Sequence, residues 1–307
     1  MRVVFMSTPD FGVKALEAIA KAHQVVGVIT QQDKPRGRGK KMMPTPIKES
    51  ALSLGITVYQ PKNVNDKESY ELIKSLNPEV IVVVAYGQIV KRDLLDLPKY
   101  GCINIHASLL PKYRGAAPMV RALMDGEKET GITIMKMEEG LDTGPMAMMK
   151  STSTDGKNAG LIHDELAIMG AELIVKTLEQ LERNEIIWEK QDDGKASYAH
   201  KISKEDGQVH FNNAAEEVYH HIMAFDPYPG AFTTLDGLTL KLFEPEIVSC
   251  SAEEKPGTIL SAEGQLIISC GTGCIKVGAL QKQGKKRMEI KEFLRGNRLL
   301  EGTVLGG

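Results

Sequence analysis

Within residues 79–86, EVIVVVAY, the stretch 80–84 is an unbroken β-branched run with no polar residue at alternate positions. A strand of this kind is covered on both faces, as happens in the middle of a parallel sheet flanked by helices. Its neighbours repeat the theme: RVVFM at 2–6, VVGVIT at 25–30, ITVYQ at 56–60 and CINIH at 102–106. Between them lie VKALEAIAKA, PIKESALSLG and SYELIKSLN, each able to bury one apolar face as a helix. This alternation predicts an α/β fold with a Rossmann-like, mostly parallel sheet. APMVRALMDG then predicts a helix, GITIMKM a strand, and the stretch from Ala159 to about Asn184 one long amphipathic helix. The polar segment DDGKASYAHKISKEDG has no clear period and reads as a linker. Beyond it, one helical piece, NAAEEVYHHIMAF, precedes short strand candidates separated by turn residues: GAFTTL, LTLKLFEPEIV, GTILSAEG, QLIISCG and GCIKVGALQ. That spacing predicts a small OB-like β-barrel. The expected organisation is a first domain over 1–190, a linker over 191–206 and a second domain over 207–307.

The balance of charges narrows the partners. A formal net charge of −2 gives no general attraction to polyanions, so nucleic-acid contact must come from local Lys and Arg clusters. Two such clusters occur. QQDKPRGRGKKMMPTP, read as a long loop, carries Arg36, Arg38, Lys40 and Lys41, and KQGKKRMEIKEFLRGNR carries Lys285, Lys286 and Arg287. The opening MRVVFMSTPDFG shows no secretory leader, and the apolar runs fall short of the roughly 20 residues needed to cross a bilayer. A soluble, cytoplasmic protein is expected. Four cysteines fit free thiols in a reducing compartment, and Cys270 with Cys274 makes only half a metal site. No metal is expected.

Ligands of open α/β sheets bind at the carboxyl ends of the strands. There CINIH ends with Asn104 and His106, two residues apart and therefore on one face. An amide donor beside a group that titrates near neutrality can hold an oxyanion and move a proton. A proline- and glycine-containing loop follows, and after the next strand EEGLDTGP presents Asp142 between two glycines. Taken singly, the histidine reads as an ordinary strand-end residue and the aspartate as a turn residue. GRGKK at 37–41 lacks P-loop spacing and STPDFG is not a dinucleotide fingerprint, so no nucleotide cofactor is expected.

The string NIHASLLPKYRGAAP, followed by a strand and then GLDTGP, closely resembles the folate-dependent formyltransferase family over about residues 1–190. The resemblance implies that Asn104, His106 and Asp142 are the catalytic set. It also implies that Ser108, Leu109, Leu110 and Pro111 contact the folate of 10-formyltetrahydrofolate. FMSTPDFG, DKPRGRGKKMMPTPIK and DPYPGAF look most like the branch whose acceptor is methionine on charged initiator tRNA. In that branch the loop with Arg36, Arg38, Lys40 and Lys41 would enter the acceptor stem, with Arg38 as the wedge. Lys285, Lys286 and Arg287 would then track the tRNA backbone from the second domain. The expected protein is a monomer with neither DNA nor a membrane as partner. Formylation of a small amine, such as an amino sugar or a purine precursor, is the alternative, and the basic loop and second domain argue against it. A formyl-folate hydrolase would not need that loop, and a non-catalytic RNA-binding protein would not need Asn104, His106 and Asp142.

Overall fold

The structure, a computed structural model, describes all residues except 37, 38, 40, 251–253 and 307, and gives no side-chain placement for Arg36. It divides into two compact units. The first comprises Met1–Pro118, Thr130–Thr152 and His163–His200; the second comprises Met119–Glu129, Ser153–Ile162 and Lys201 onward.

In chain order the first part runs β1 (Arg2–Ser7), α1 (Val13–Ala22), β2 (Gln24–Ile29), β3 (Lys34–Arg36), β4 (Lys41–Met43), α2 (Pro46–Ser53), β5 (Val58–Tyr59), α3 (Lys67–Ser75), β6 (Val80–Val84), α4 (Arg92–Leu95) and β7 (Cys102–His106). Then come β8 (Arg114–Gly115), α5 (Pro118–Met124), β9 (Glu129–Lys136), β10 (Met146–Ser153), α6 (Ala159–Glu182) and β11 (Tyr198–Ala199). The main sheet has the order β10-β9-β7-β6-β1-β2-β5. From β7 to β5 all pairs are parallel, and β9 joins β7 antiparallel. The chain winds from β1 out to β5 and returns to β6 on the other side of β1, which puts the topological switch between β1 and β6. All five residues of β6 are buried, as its unbroken apolar run predicts. The core under it includes Val4, Met6, Ile29, Ile73, Ile81 and Tyr86. Local caps fix the helix starts: Thr45 accepts from the Lys48 amide with Pro46 leading α2, and Asp66 accepts from the Ser69 amide ahead of α3. Hydrogen bonding to Ser69 also holds the Asp66 carboxyl below its usual range.

Three features differ from the sequence reading. The basic stretch is a two-stranded antiparallel hairpin, β3 with β4, and not a featureless loop. Asp33 anchors its base, accepting from the Lys48 ammonium at 2.7 Å and the Gln60 amide at 2.7 Å. Strand β10 was not expected, because none of its residues is buried and an edge strand needs no apolar alternation. The stretch read as a linker supplies β11, which pairs with β8.

The second unit continues with α7 (Ala215–Phe225), β12 (Ala231–Leu235), β13 (Leu238–Val248), β14 (Ile259–Ser261), β15 (Leu266–Ser269), β16 (Cys274–Lys282), β17 (Met288–Glu289) and α8 (Ile290–Gly296). Its antiparallel sheet has the path β12-β13-β16-β15-β14, with β17 added on β16. Among the described residues the path does not close, so the expected barrel is a curled half-barrel. Glu244, in mid-β13, has φ 55°, and the register with β16 is the same on either side of it, Phe243 opposite Ala279 and Pro245 opposite Val277. Helix α7 covers β13 through Val218, Ile222 and Phe225, all buried. The cysteines also differ from expectation. Cys250 and Cys274 are disulfide-bonded, because the Val248–Cys274 register brings the chain just past β13 to a Cα separation of 6.0 Å. Cys102 and Cys270 are free and buried, and burial pushes their thiols up to about 12 and about 11.

Candidate active site

Strand β7 ends at the carboxyl edge of the parallel sheet, one strand from the switch point. Asn104 is half-buried there, and His106 is 4% exposed. The His106 Nε2 lies 2.9 Å from the Tyr113 carbonyl oxygen. A carbonyl can only accept, so Nε2 carries the proton and donates it. That fixes the tautomer and leaves Nδ1 facing the Asp142 Oδ2 at 3.6 Å. Asn104 Nδ2 donates to Asp142 Oδ1 over a long 3.4 Å, and the Gly115 amide donates to Oδ2 at 2.8 Å. The structure thus brings Asn104, His106 and Asp142 into one cluster.

The loop that presents Asp142 is tightly drawn. Asp142 has φ 53°, in the left-handed region, which aspartate enters more readily than most residues but still at a cost. A Cβ on Gly144 would overlap the Lys136 carbonyl, so only glycine lets the loop turn back on β9. Gln191 holds the other side. Its Nε2 donates to the Asp142 carbonyl at 2.7 Å and the Gly144 carbonyl at 2.8 Å. Its Oε1 accepts from Arg114 Nε at 3.0 Å and Nη2 at 2.9 Å, and Nη2 also reaches Asp193 Oδ1 at 2.8 Å. Burial works against the Arg114 charge, but hydrogen bonds to Asp193 and Tyr198 outweigh it and hold the guanidinium's pKa above its ordinary value. Arg114 and Gln191 were not singled out in the sequence; both stand in polar stretches, and their contact joins residues 77 apart.

The Ser108–Pro111 segment follows β7 directly. Ser108 Oγ donates to the Lys112 carbonyl at 2.6 Å, and Thr133 Oγ1 donates to the Ser108 carbonyl at 2.7 Å while accepting from the Leu110 amide at 3.1 Å. Ser108 and Leu110 are therefore buried and occupied within the loop, and Leu109 and Pro111 are its half-exposed members. A separate cleft bounded by Met1, Arg2, His23 and Glu79 lies at the amino ends of the strands, the opposite edge of the sheet.

Of the basic residues, Lys41 is exposed on β4, Arg36 belongs to β3, and Arg38 and Lys40 lie outside the described residues. Lys285 and Lys286 are exposed between β16 and β17. Arg287 is committed elsewhere: it bonds Asp226 Oδ1 at 2.8 Å and Glu244 Oε1 at 2.8 Å and lies 4.2 Å from the Phe243 ring centroid. Among the described residues no group of three or more His, Cys, Asp or Glu is arranged to hold a metal.

A half-buried amide and a half-buried carboxylate flank a buried imidazole at the carboxyl edge of this sheet, the edge at which open α/β sheets take ligands. The profile of the family described as formyl transferase matches residues 1–177, and that of the formyl transferase C-terminal domain matches residues 201–298. The chain belongs to the formyl transferase family. Within it, the chain is 45% identical over 308 residues to the methionyl-tRNA formyltransferase of Caldanaerobacter subterraneus subsp. tengcongensis, covering 99% of this chain and 100% of the relative. The methionyl-tRNA formyltransferase of Alkaliphilus metalliredigens is also 45% identical, over 100% of this chain and 98% of its own. In fold the chain is similar to the crystal structure of WlaRD, a sugar 3N-formyl transferase in the presence of dTDP and 5-N-formyl-THF. The TM-score is 0.65 at 20% identity, over 93% of this chain and 99% of that one.

Proposed function

We propose that the chain transfers a formyl group from 10-formyltetrahydrofolate to the α-amino group of methionine esterified to initiator tRNA. The observation that carries this reading is the contact set joining Asn104, His106 and Asp142, with the His106 tautomer fixed by Tyr113. Relatives alike over the whole length supply the acceptor, since they are methionyl-tRNA formyltransferases. The WlaRD fold suits a formyl-folate donor equally well and leaves a sugar amine as the second reading.

The neutral methionyl amine attacks the formyl carbon, and negative charge develops on the former carbonyl oxygen. Asn104 Nδ2 makes only a 3.4 Å bond to Asp142, so it is available to donate to that oxygen. The attacking nitrogen loses a proton toward the Asp142 carboxylate and His106 Nδ1. The same pair returns it to the departing folate nitrogen as the carbon–nitrogen bond breaks, so formyl-methionyl-tRNA and tetrahydrofolate leave with no net proton change. Leu109 and Pro111 offer the exposed edge of the folate loop, and Ser108 and Leu110 set its shape. Arg36, Arg38, Lys40 and Lys41, on and between β3 and β4, meet the acceptor stem, and Lys285 and Lys286 meet tRNA phosphates. Arg287 contributes through the loop that it anchors. The enzyme acts as a monomer in the cytoplasm, where charged initiator tRNA is made.

The test is a formylation assay with charged initiator tRNA, charged elongator tRNA, free methionine and an amino sugar. Transfer to charged initiator tRNA above the others supports the reading. Transfer to the amino sugar alone overturns it.

A further inference from the structure

We propose that Gln191 is a positioning residue for the transfer reaction: it holds the Asp142 loop so that the carboxylate meets His106. The proposal rests on the catalytic reading of Asn104, His106 and Asp142 given above. Gln191 is 4% exposed and Arg114 is 2% exposed, so every polar atom of the pair must find its partner inside the protein. The geometry satisfies all of them in one orientation. Two Arg114 nitrogens donate to Oε1, which compels Nε2 to point at the Asp142 and Gly144 carbonyls. Arg114 is fixed in turn by Asp193 and by the pairing of β8 with β11.

Strand β8 therefore grips Asp142 twice. The Gly115 amide holds the carboxylate directly, and Arg114 holds the main chain through Gln191. The left-handed backbone at Asp142 carries a cost, and losing the two Gln191 donors removes part of what holds the loop in it. Relaxation there moves the carboxylate relative to Nδ1, and a displacement of about 1 Å in a proton-transfer geometry costs on the order of 100-fold in rate.

Gln191→Glu separates this role from simple filling of the interior. The substitution is nearly isosteric and strengthens the contact with Arg114, because a carboxylate accepts both guanidinium nitrogens. It removes both donors to the loop and sets oxygen against the Asp142 and Gly144 carbonyls. Measured on the full-length protein with charged initiator tRNA and 10-formyltetrahydrofolate, the single-turnover rate is expected to fall about 10- to 100-fold, with KM for both substrates within about threefold. Amide exchange across residues 139–145 is expected to rise while that of β6 and β7 stays as in the unsubstituted protein. Should Gln191→Glu lose cooperative unfolding, Gln191→Asn gives the same reading, since the shorter neutral amide cannot reach Arg114 and both loop carbonyls together. An unchanged single-turnover rate, or a loss confined to KM, overturns the proposal. Wild-type protein with no transfer to charged tRNA overturns the reading beneath it, and the exchange measurement still reports whether Gln191 holds the loop.

Discussion

The polar side chains around His106 and those along residues 282–298 are used in opposite ways. At the site, Arg114, Gln191 and His106 are nearly inaccessible and bonded within the protein, with Asp142 close behind at 16% side-chain exposure. Along the basic run, Lys285, Lys286, Lys291, Arg295 and Arg298 stay in solvent, and Arg287 is the member drawn into ion pairs. Chemistry needs groups whose positions are settled before the substrate arrives, because reorganisation at the moment of reaction raises the barrier. Capture of a long polyanion needs charge that reaches outward, and bonding that charge internally would cancel it.

The largest effects test the settled side of this contrast. Asn104→Ala, His106→Ala and Asp142→Ala are each expected to lower single-turnover transfer at saturating substrates at least about 100-fold, with the unfolding transition intact. Near-normal turnover in any two would break the assignment. Gly115→Ala comes next. The backbone there has φ 123°, and a Cβ would stand 2.7 Å from the Ala199 carbonyl oxygen, so the chain must shift and take the amide away from Asp142. A rate loss of roughly 10-fold or more is expected, with a destabilisation of about 1–3 kcal/mol read by urea unfolding.

The outward side predicts a different signature. Replacing Lys285 and Lys286 together by Ala should weaken tRNA binding and flatten its log–log dependence on salt by up to about 2, with folate affinity unchanged by titration. Arg287→Ala should do the reverse, changing the salt slope little and lowering stability by roughly 1–3 kcal/mol, because it strips the cation from the buried Asp226. The smallest effect concerns His221, which stacks on Phe225 with ring centroids 4.8 Å apart and whose pKa burial lowers. Below the ordinary value of 6.5 the unfolded chain takes up a proton that the folded one resists, so stability falls as pH drops through that value. His221→Phe should flatten this fall between pH 7.5 and about pH 5.5, compared by urea midpoints.

The contrast also marks what could be read from the sequence. Strand β6 was legible because an unbroken β-branched run of that length suits the middle of a parallel sheet, and β7 because Cys102, Ile103 and Ile105 repeat the theme beside it. Motif order grouped Asn104, His106 and Asp142, and the fold puts their side chains together. Strand β10 was not legible, since an edge strand buries nothing, and the β3–β4 hairpin was hidden by prolines, glycines and charges that also suit a loop. The disulfide depended on a register between β13 and β16 that spacing alone does not give. Gln191 and Arg114 were invisible for a related reason. Their importance lies in which atoms they meet across the fold, and nothing in a polar segment announces that.

The most direct test places His106→Ala beside the Lys285→Ala/Lys286→Ala double variant and measures, for each, tRNA binding against salt and single-turnover transfer at saturating tRNA. The expected result is a clean exchange of phenotypes. His106→Ala binds tRNA with the wild-type salt slope and loses the chemical step, while the double variant binds more weakly with a shallower slope and keeps that step. A lysine variant slowed in the chemical step at saturation, or a His106 variant impaired only in binding, would contradict the division of labour proposed for this enzyme.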